Sequence, residues 1–177
     1  GADETAPEDL ERSTIDALDD LVGDVVALEG VIADARQTSG PTVFELRDET
    51  GTVECAAFEA AGVRAYPDVD VDDVVRLVGE VERRHGELQV ETESLATLTD
   101  DDRAEVEERL QAAIEEEARA PDADLLADHP PIAAVDEEIR SAATEIRKAV
   151  MSDRPVVVRH SATADGYAAG AAIERAV

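Results

Sequence analysis

Between Asp24 and Leu98 apolar and polar residues alternate along the chain, the period-two spacing of strands with one buried face. The stretch DVVALEGVIADARQ alternates around a central Gly30, and TVFELRDETGTVECAAF reads as two short strands about a turn at Asp48, Glu49, Thr50 and Gly51. In that turn Asp48 is expected to bond backbone amides and Gly51 to take a positive φ. A second, longer pair, DDVVRLVGEVERRHGELQVETESLATL, is joined at Arg84, His85 and Gly86, residues suited to a hairpin turn. The polar, proline-containing stretch EAAGVRAYPDVDV crosses between the two hairpins. Gly30 and Gly79 lie inside long strands, where glycine marks a sharp bend. A small closed barrel needs such bends at its corners; a plain meander or sandwich is the alternative. The long bent first strand and the crossover after the third favour the barrel.

Outside this stretch the period is helical. Residues 1–21 form an acidic lead-in, a short helix or a frayed end, with a weak stripe at Leu10, Thr14, Leu18 and Leu21 and a start signal in Pro7-Glu8-Asp9. After Thr99, DDDRAEVEERLQAAIEEEARA opens with acids and places Val106, Leu110 and Ile114 on one stripe. Within 99–131 the helix gives way to a linker, PDADLLADHPP, because Pro130-Pro131 cannot continue it. A second helix is expected from Ile132 to Met151, with Val135, Ile139, Ala142, Ile146 and Val150 on its apolar side. Pro155 then introduces Val156-Val157-Val158, an unbroken apolar run of the kind found in strands buried on both faces of a parallel sheet. A polar turn and a helix starting near Tyr167 follow. The fold class is therefore mainly β plus α: a barrel at 22–98, helices, and at 132–177 the first helix, strand and helix of an α/β domain.

Charge changes the setting rather than the fold. Acidic residues outnumber basic ones 44 to 16, the formal net charge is −28, and Lys148 is the sole lysine. Such self-repulsion would swell an ordinary domain, but in molar salt the screening length falls to about 3 Å. The composition resembles that of proteins from salt-in halophilic archaea. An acidic disordered chain is the alternative, and the strand patterns speak against it. Aromatics make up 2% of the chain and tryptophan is missing, so the core must be built from Val, Leu, Ile and Ala. Cys55 is alone, which excludes an internal disulfide and a cysteine-based zinc cluster. No apolar run reaches the ~18 residues of a membrane span, and the acidic N-terminus is unlike a secretory signal. A cytoplasmic setting without membrane contact is expected. The lack of an initiator Met, and a strand-to-helix elbow so near the last residue, predict a piece of a longer protein.

The residues GVIADARQTSGPTVFELRDETGTVECAAF resemble the OB-fold family found in replication protein A, aminoacyl-tRNA synthetase anticodon-binding domains and some exonuclease subunits. Phe44, Leu46, Asp48, Thr50 and Gly51 fill that family's apolar-x-apolar-x-Asp-x-Thr-Gly turn. The resemblance implies a surface for single-stranded DNA or RNA across the second and third strands and the flanking loops. Basic residues gather on those parts: Arg36 after the first strand, Arg47 ending the second, Arg64 and Tyr66 in the crossover, and Arg83, Arg84 and His85 between the last two strands. They are candidate nucleic-acid contacts, or else partners for nearby acids such as Glu80, Glu82 and Glu87. Phe44 and Phe58 are expected in the core, leaving Tyr66 to stack on a base.

The sequence VVVRHSATADGYAAGAAIERAV resembles the first motif of DHH-family phosphoesterases, in particular archaeal RecJ-like exonucleases. Asp165 and Gly166 match the closing Asp-Gly, and the small residues after them match the helix start. Thr163 replaces the first Asp, Ser161 replaces the His, and His160 is one residue out of register. The resemblance implies manganese or magnesium in the intact parent, with Asp165 and His160 as residual ligands, and no cofactor for this piece alone. Asp165 reads equally as a helix cap. No Gly-rich phosphate loop, Ser-His-Asp set or paired-His motif is present. Three readings stand: the single-strand-binding part of a RecJ-like nuclease, catalytically incomplete by itself; a non-enzymatic replication protein A-like module with a helical arm for a protein partner or self-association; or a barrel that binds protein, as acidic OB-folds can.

Overall fold

The computed structural model describes residues 10–122, 124, 130–152 and 154–176, and the chain divides into a barrel unit up to Gln111 and a C-terminal unit from Ala112.

Five strands make the barrel unit: β1 (Val25–Gln37), β2 (Thr42–Arg47), β3 (Thr52–Ala57), β4 (Val74–Arg84) and β5 (Glu87–Thr97). They close in the order β1-β2-β3-β5-β4. Four of the pairings are antiparallel, and closure comes from a short parallel match of Glu54–Ala56 with Gln89–Glu91. One long strand serves two neighbours: Val25–Val31 pairs with β4 and Val31–Gln37 with β2. Gly30 lies at the changeover, where a Cβ would come within 2.2 Å of the Arg47 carbonyl oxygen. Gly79 sits at a register shift of β4, where a Cβ would lie 2.2 Å from the Glu91 carbonyl. The two expected corners are thus real, and each exists because a neighbouring backbone occupies the space of a side chain.

Alternation sends Leu28, Ile32, Phe44, Leu46, Leu77, Val81 and Val90 into the interior with no exposed surface. Each contributes about 1.5–3 kcal/mol by leaving water. The β4–β5 connection is a two-residue turn in which His85 (φ 52°) and Gly86 (φ 91°) are both left-handed, the twist that hairpins favour.

The Asp48 turn forms through the expected bonds to backbone amides, but without the expected left-handed Gly51. Asp48 Oδ1 accepts from the Thr50 amide at 2.7 Å, the Gly51 amide at 3.0 Å and the Thr50 hydroxyl at 2.7 Å. Gly51 does not take a positive φ among the described residues; the Asp48 carboxylate closes the loop, so a left-handed residue is unnecessary. The other oxygen, Oδ2, accepts from the Ile15 amide at 2.8 Å. That bond fastens a 3-10 turn, Ile15–Leu21, to the barrel. Leu18 has no exposed surface, so this part of the lead-in belongs to the barrel core. Pro7 and its start signal lie outside the described residues.

Helix α1 (Asp100–Ala118) begins in the barrel unit. Its Val106 is buried, and Arg109 bonds Glu29 at 2.6 Å, a carboxylate that also holds Arg76 at 2.9 Å.

In the C-terminal unit a one-turn helix α2 (Pro130–Ala133) is followed by α3 (Asp136–Met151) and α4 (Ala164–Ala176). Pro130 and Pro131 begin α2 instead of merely ending a linker, since proline is tolerated in a first turn where no amide bond is lost. The helix expected from Ile132 starts at Asp136, after a break at Ala134 and Val135. The last turn of α1 carries no basic residue. Arg147 of α3 supplies one, donating to the carbonyls of Ala118 and Glu117, each at 3.0 Å, where a cation complements the helix dipole. Val156–Val158 forms neither strand nor helix, and Val157 is 75% exposed. The expectation of a buried parallel strand fails because the described residues offer it no neighbour to pair with; the strands all belong to the barrel. Among the described residues no helix is long and apolar enough to cross a membrane.

Candidate nucleic-acid interface

Three outward positions line up across the sheet. Asp34 on β1 faces Glu45 on β2, which faces Glu54 on β3. Like charges directly opposite one another are unfavourable, and Arg36 relieves them by binding Glu54 at 2.5 Å. The hydrogen bond with Glu54 raises the Arg36 pKa above its ordinary value. Arg36 therefore offsets part of the negative charge of the face on which it lies.

Beyond this row a groove runs between the β2–β3 face and the β4–β5 hairpin, lined by Glu45, Thr52, Glu54, Arg83, Glu87 and Leu88. Arg83 is tied to the Asp19 carboxylate and donates to the Gly86 carbonyl at 3.0 Å. Arg84 is exposed, opposite Glu87 in register and 4.0 Å from Glu82. His85 is exposed at the hairpin tip. Arg47 stands opposite Thr52, a groove residue, and has no ion pair among the described residues. Arg47, Arg84 and His85 are exposed basic residues near the groove, with Arg84 only loosely paired to Glu82, whereas Arg36 and Arg83 have close carboxylate partners.

Arg64 is a brace. It donates to the Val69 carbonyl at 2.7 Å, lies 3.4 Å from Asp70, and its guanidinium carbon is 6.0 Å from the Phe44 ring centre. Tyr66 is half-buried, with its hydroxyl 3.4 Å from the Glu93 carbonyl. Burial raises its pKa and a hydrogen bond with the Leu95 backbone opposes the shift.

Phe44 is in the core as expected, but Phe58 is 67% exposed. The alternation gave that signal: Val53, Cys55 and Ala57 point inward, so the next residue faces out. Phe58 and Tyr66 line a second groove with Pro67, Val69 and Leu95.

At the C-terminal elbow His160 packs edge-on against Tyr167, ring centres 4.8 Å apart, and its Nδ1 lies 2.9 Å from the Ser161 carbonyl. Gly166 and Gly170 admit this packing, since Cβ atoms there would meet Ser161 at 2.2 Å and the His160 ring at 2.7 Å. Asp165 is exposed inside the first turn of α4; the cap is made by Thr163, whose hydroxyl accepts from the Gly166 amide at 3.2 Å. The cap reading of Asp165 is corrected because α4 starts at Ala164, ahead of it. Among the described residues no three His, Cys, Asp or Glu side chains gather to hold a metal. His160 and Asp165 as they stand do not fit a manganese or magnesium site.

The barrel is an OB-fold, and residues 26–98 match the family model described as the OB-fold nucleic acid binding domain, tRNA anti-codon type. The chain is 38% identical over 154 residues, 86% of its length, to the uncharacterized protein MJ1198 of Methanocaldococcus jannaschii, and spans 20% of that protein. Among solved structures, asparaginyl-tRNA synthetase from Pyrococcus horikoshii is 16% identical, covering 62% of this chain and 31% of that one with a TM-score of 0.46. A replication protein A heterotrimer bound to ssDNA is 15% identical, covering 63% and 88% with a TM-score of 0.42.

Proposed function

We propose that the barrel binds single-stranded DNA or RNA along the groove between the β2–β3 face and the β4–β5 hairpin, with Arg47, Arg84 and His85 meeting phosphates. The observation that carries this reading is the closed β1-β2-β3-β5-β4 barrel over residues that match a nucleic-acid-binding family model. Three carboxylates line the groove against one arginine, itself paired, so binding is weak and tolerant of sequence. The acidic composition fits a halophilic archaeal source, in which counterion release would add little to affinity.

The longer protein is read as a RecJ-like DHH phosphoesterase that hydrolyses the strand held by the barrel, in the cytoplasm. The elbow at His160–Gly170, with two glycines under close packing, supports this reading, and the missing carboxylate at Thr163 weighs against it. The residues that hold its metal would have to come from other parts of that protein.

Fluorescence anisotropy with labelled fifteen-nucleotide dT and U strands tests the barrel reading. Arg47→Glu/Arg84→Glu is expected to lower affinity about tenfold at low salt, a few phosphate contacts' worth; unchanged affinity overturns the site. Manganese-dependent release of nucleotides from single strands by the full-length protein supports the second part. Its absence leaves a non-enzymatic binding module.

A further inference from the structure

The second groove has a chemistry unlike the first. It is lined by Phe58, Ala65, Tyr66, Pro67, Val69 and Leu95, with Glu59 and Asp68 at its sides and no cation in its lining. The chain has only two phenylalanines and two tyrosines, and two of those four rings stand here. Phe58 keeps two thirds of its surface in water (67%) although an inward register position is one residue away. Tyr66 takes a left-handed backbone (φ 49°), an outlier for a bulky residue that is retained where surroundings enforce it. Its hydroxyl against the Glu93 carbonyl and its packing on the core hold it in place, setting one ring edge in the groove beside the exposed Phe58.

We propose that this groove docks an extended segment of a protein partner carrying an apolar anchor side chain beside arginine or lysine. The rings and Pro67 receive the anchor, and Glu59 and Asp68 receive the flanking cation. Charge decides between partners. A nucleobase stacked on Phe58 would bring its phosphate beside Glu59 and Asp68 with no cation in the lining, the nearby Arg64 being held by the Val69 carbonyl and Asp70, whereas a basic residue finds complementary charge. Rigid aromatic anchors in a shallow groove are also where binding energy concentrates at protein interfaces. The site is separate from the nucleic-acid groove, and neither proposal needs the other.

The test is an amide-resonance titration of the isotope-labelled full chain with three probes: the peptide acetyl-Arg-Leu-Phe-Arg-amide, its Glu-flanked counterpart, and a fifteen-nucleotide dT strand. The basic peptide is expected to shift the amides of Phe58, Glu59, Tyr66, Asp68, Ala96 and Thr97. The Glu-flanked peptide should bind at least about tenfold more weakly, and Phe58→Ala should cost the basic peptide about tenfold. Phe58 is exposed, so that variant keeps its fold, checked by an unchanged far-UV spectrum. Glu59→Gln/Asp68→Asn, which leaves the rings in place, should bring the two peptides together in affinity. Equal binding of both peptides to the unaltered chain, or shifts elsewhere, overturns the proposal. So does a dT strand that moves these same amides and loses affinity on Phe58→Ala.

Discussion

In the barrel unit Leu28, Ile32, Phe44, Leu46 and Leu77 have no contact with water, whereas in the C-terminal unit α3 has no buried residue and Val135, Ile139, Val150 and Val157 are exposed. Both stretches draw on valine, isoleucine and alanine. What differs is closure. Every barrel strand has a neighbour on each side, so one apolar face meets another. The C-terminal unit is held by polar bonds, such as Arg147 on the α1 carbonyls and the Thr144 hydroxyl accepting from the Ala120 amide at 3.1 Å. An apolar stripe stabilises a fold only where topology supplies the second surface.

Cys55 makes this contrast measurable. It is the single cysteine of the chain, buried in the barrel, and burial pushes its thiol pKa far up, so a disulfide reagent should label it only when the barrel opens. Gly79→Val should have the largest effect, because its Cβ would lie 2.2 Å from the Glu91 carbonyl oxygen. The expected loss is about 3 kcal/mol, about a hundredfold faster labelling; an acceleration below tenfold would show that the close approach is dispensable. Asp48→Ala comes next. It strands the Ile15, Thr50 and Gly51 amides and should cost about 2 kcal/mol, about thirtyfold in labelling, with Asp48→Asn milder. At the small end, Val157→Ser or Ile139→Ser should stay within about 0.5 kcal/mol of the parent chain. A tenfold change in labelling would contradict the view that these exposed side chains add nothing to stability.

The barrel was largely legible in sequence because its cues are local: alternation, a two-residue turn at His85 and Gly86, and glycines at the corners. The elements misread carry cues shared by two structures. Three valines in a row describe a doubly buried strand and an exposed segment equally well. The 3-10 turn at Ile15–Leu21 buries Ile15 and Leu18 three residues apart, a spacing that does not stand out as an amphipathic α-helix. Partners of the arginines were hidden for a different reason. Arg83 finds Asp19 across 64 positions of sequence and Arg36 finds Glu54 across 18, and only the closed fold brings them together. The candidate site was therefore readable as a location but not as a charge balance. The position of Phe58 was readable, since it follows an inward-pointing Ala57.

Because β1 is shared between two neighbours, it also orders assembly. The β2–β3 and β4–β5 hairpins can each zip from their own turns and meet directly only along the short β3–β5 match; β1 joins them a second time, matching Val26 with Gly79 and Arg36 with Val43. Such distant pairings are slow to find. The barrel's first strand thus waits for partners that are made later in the chain.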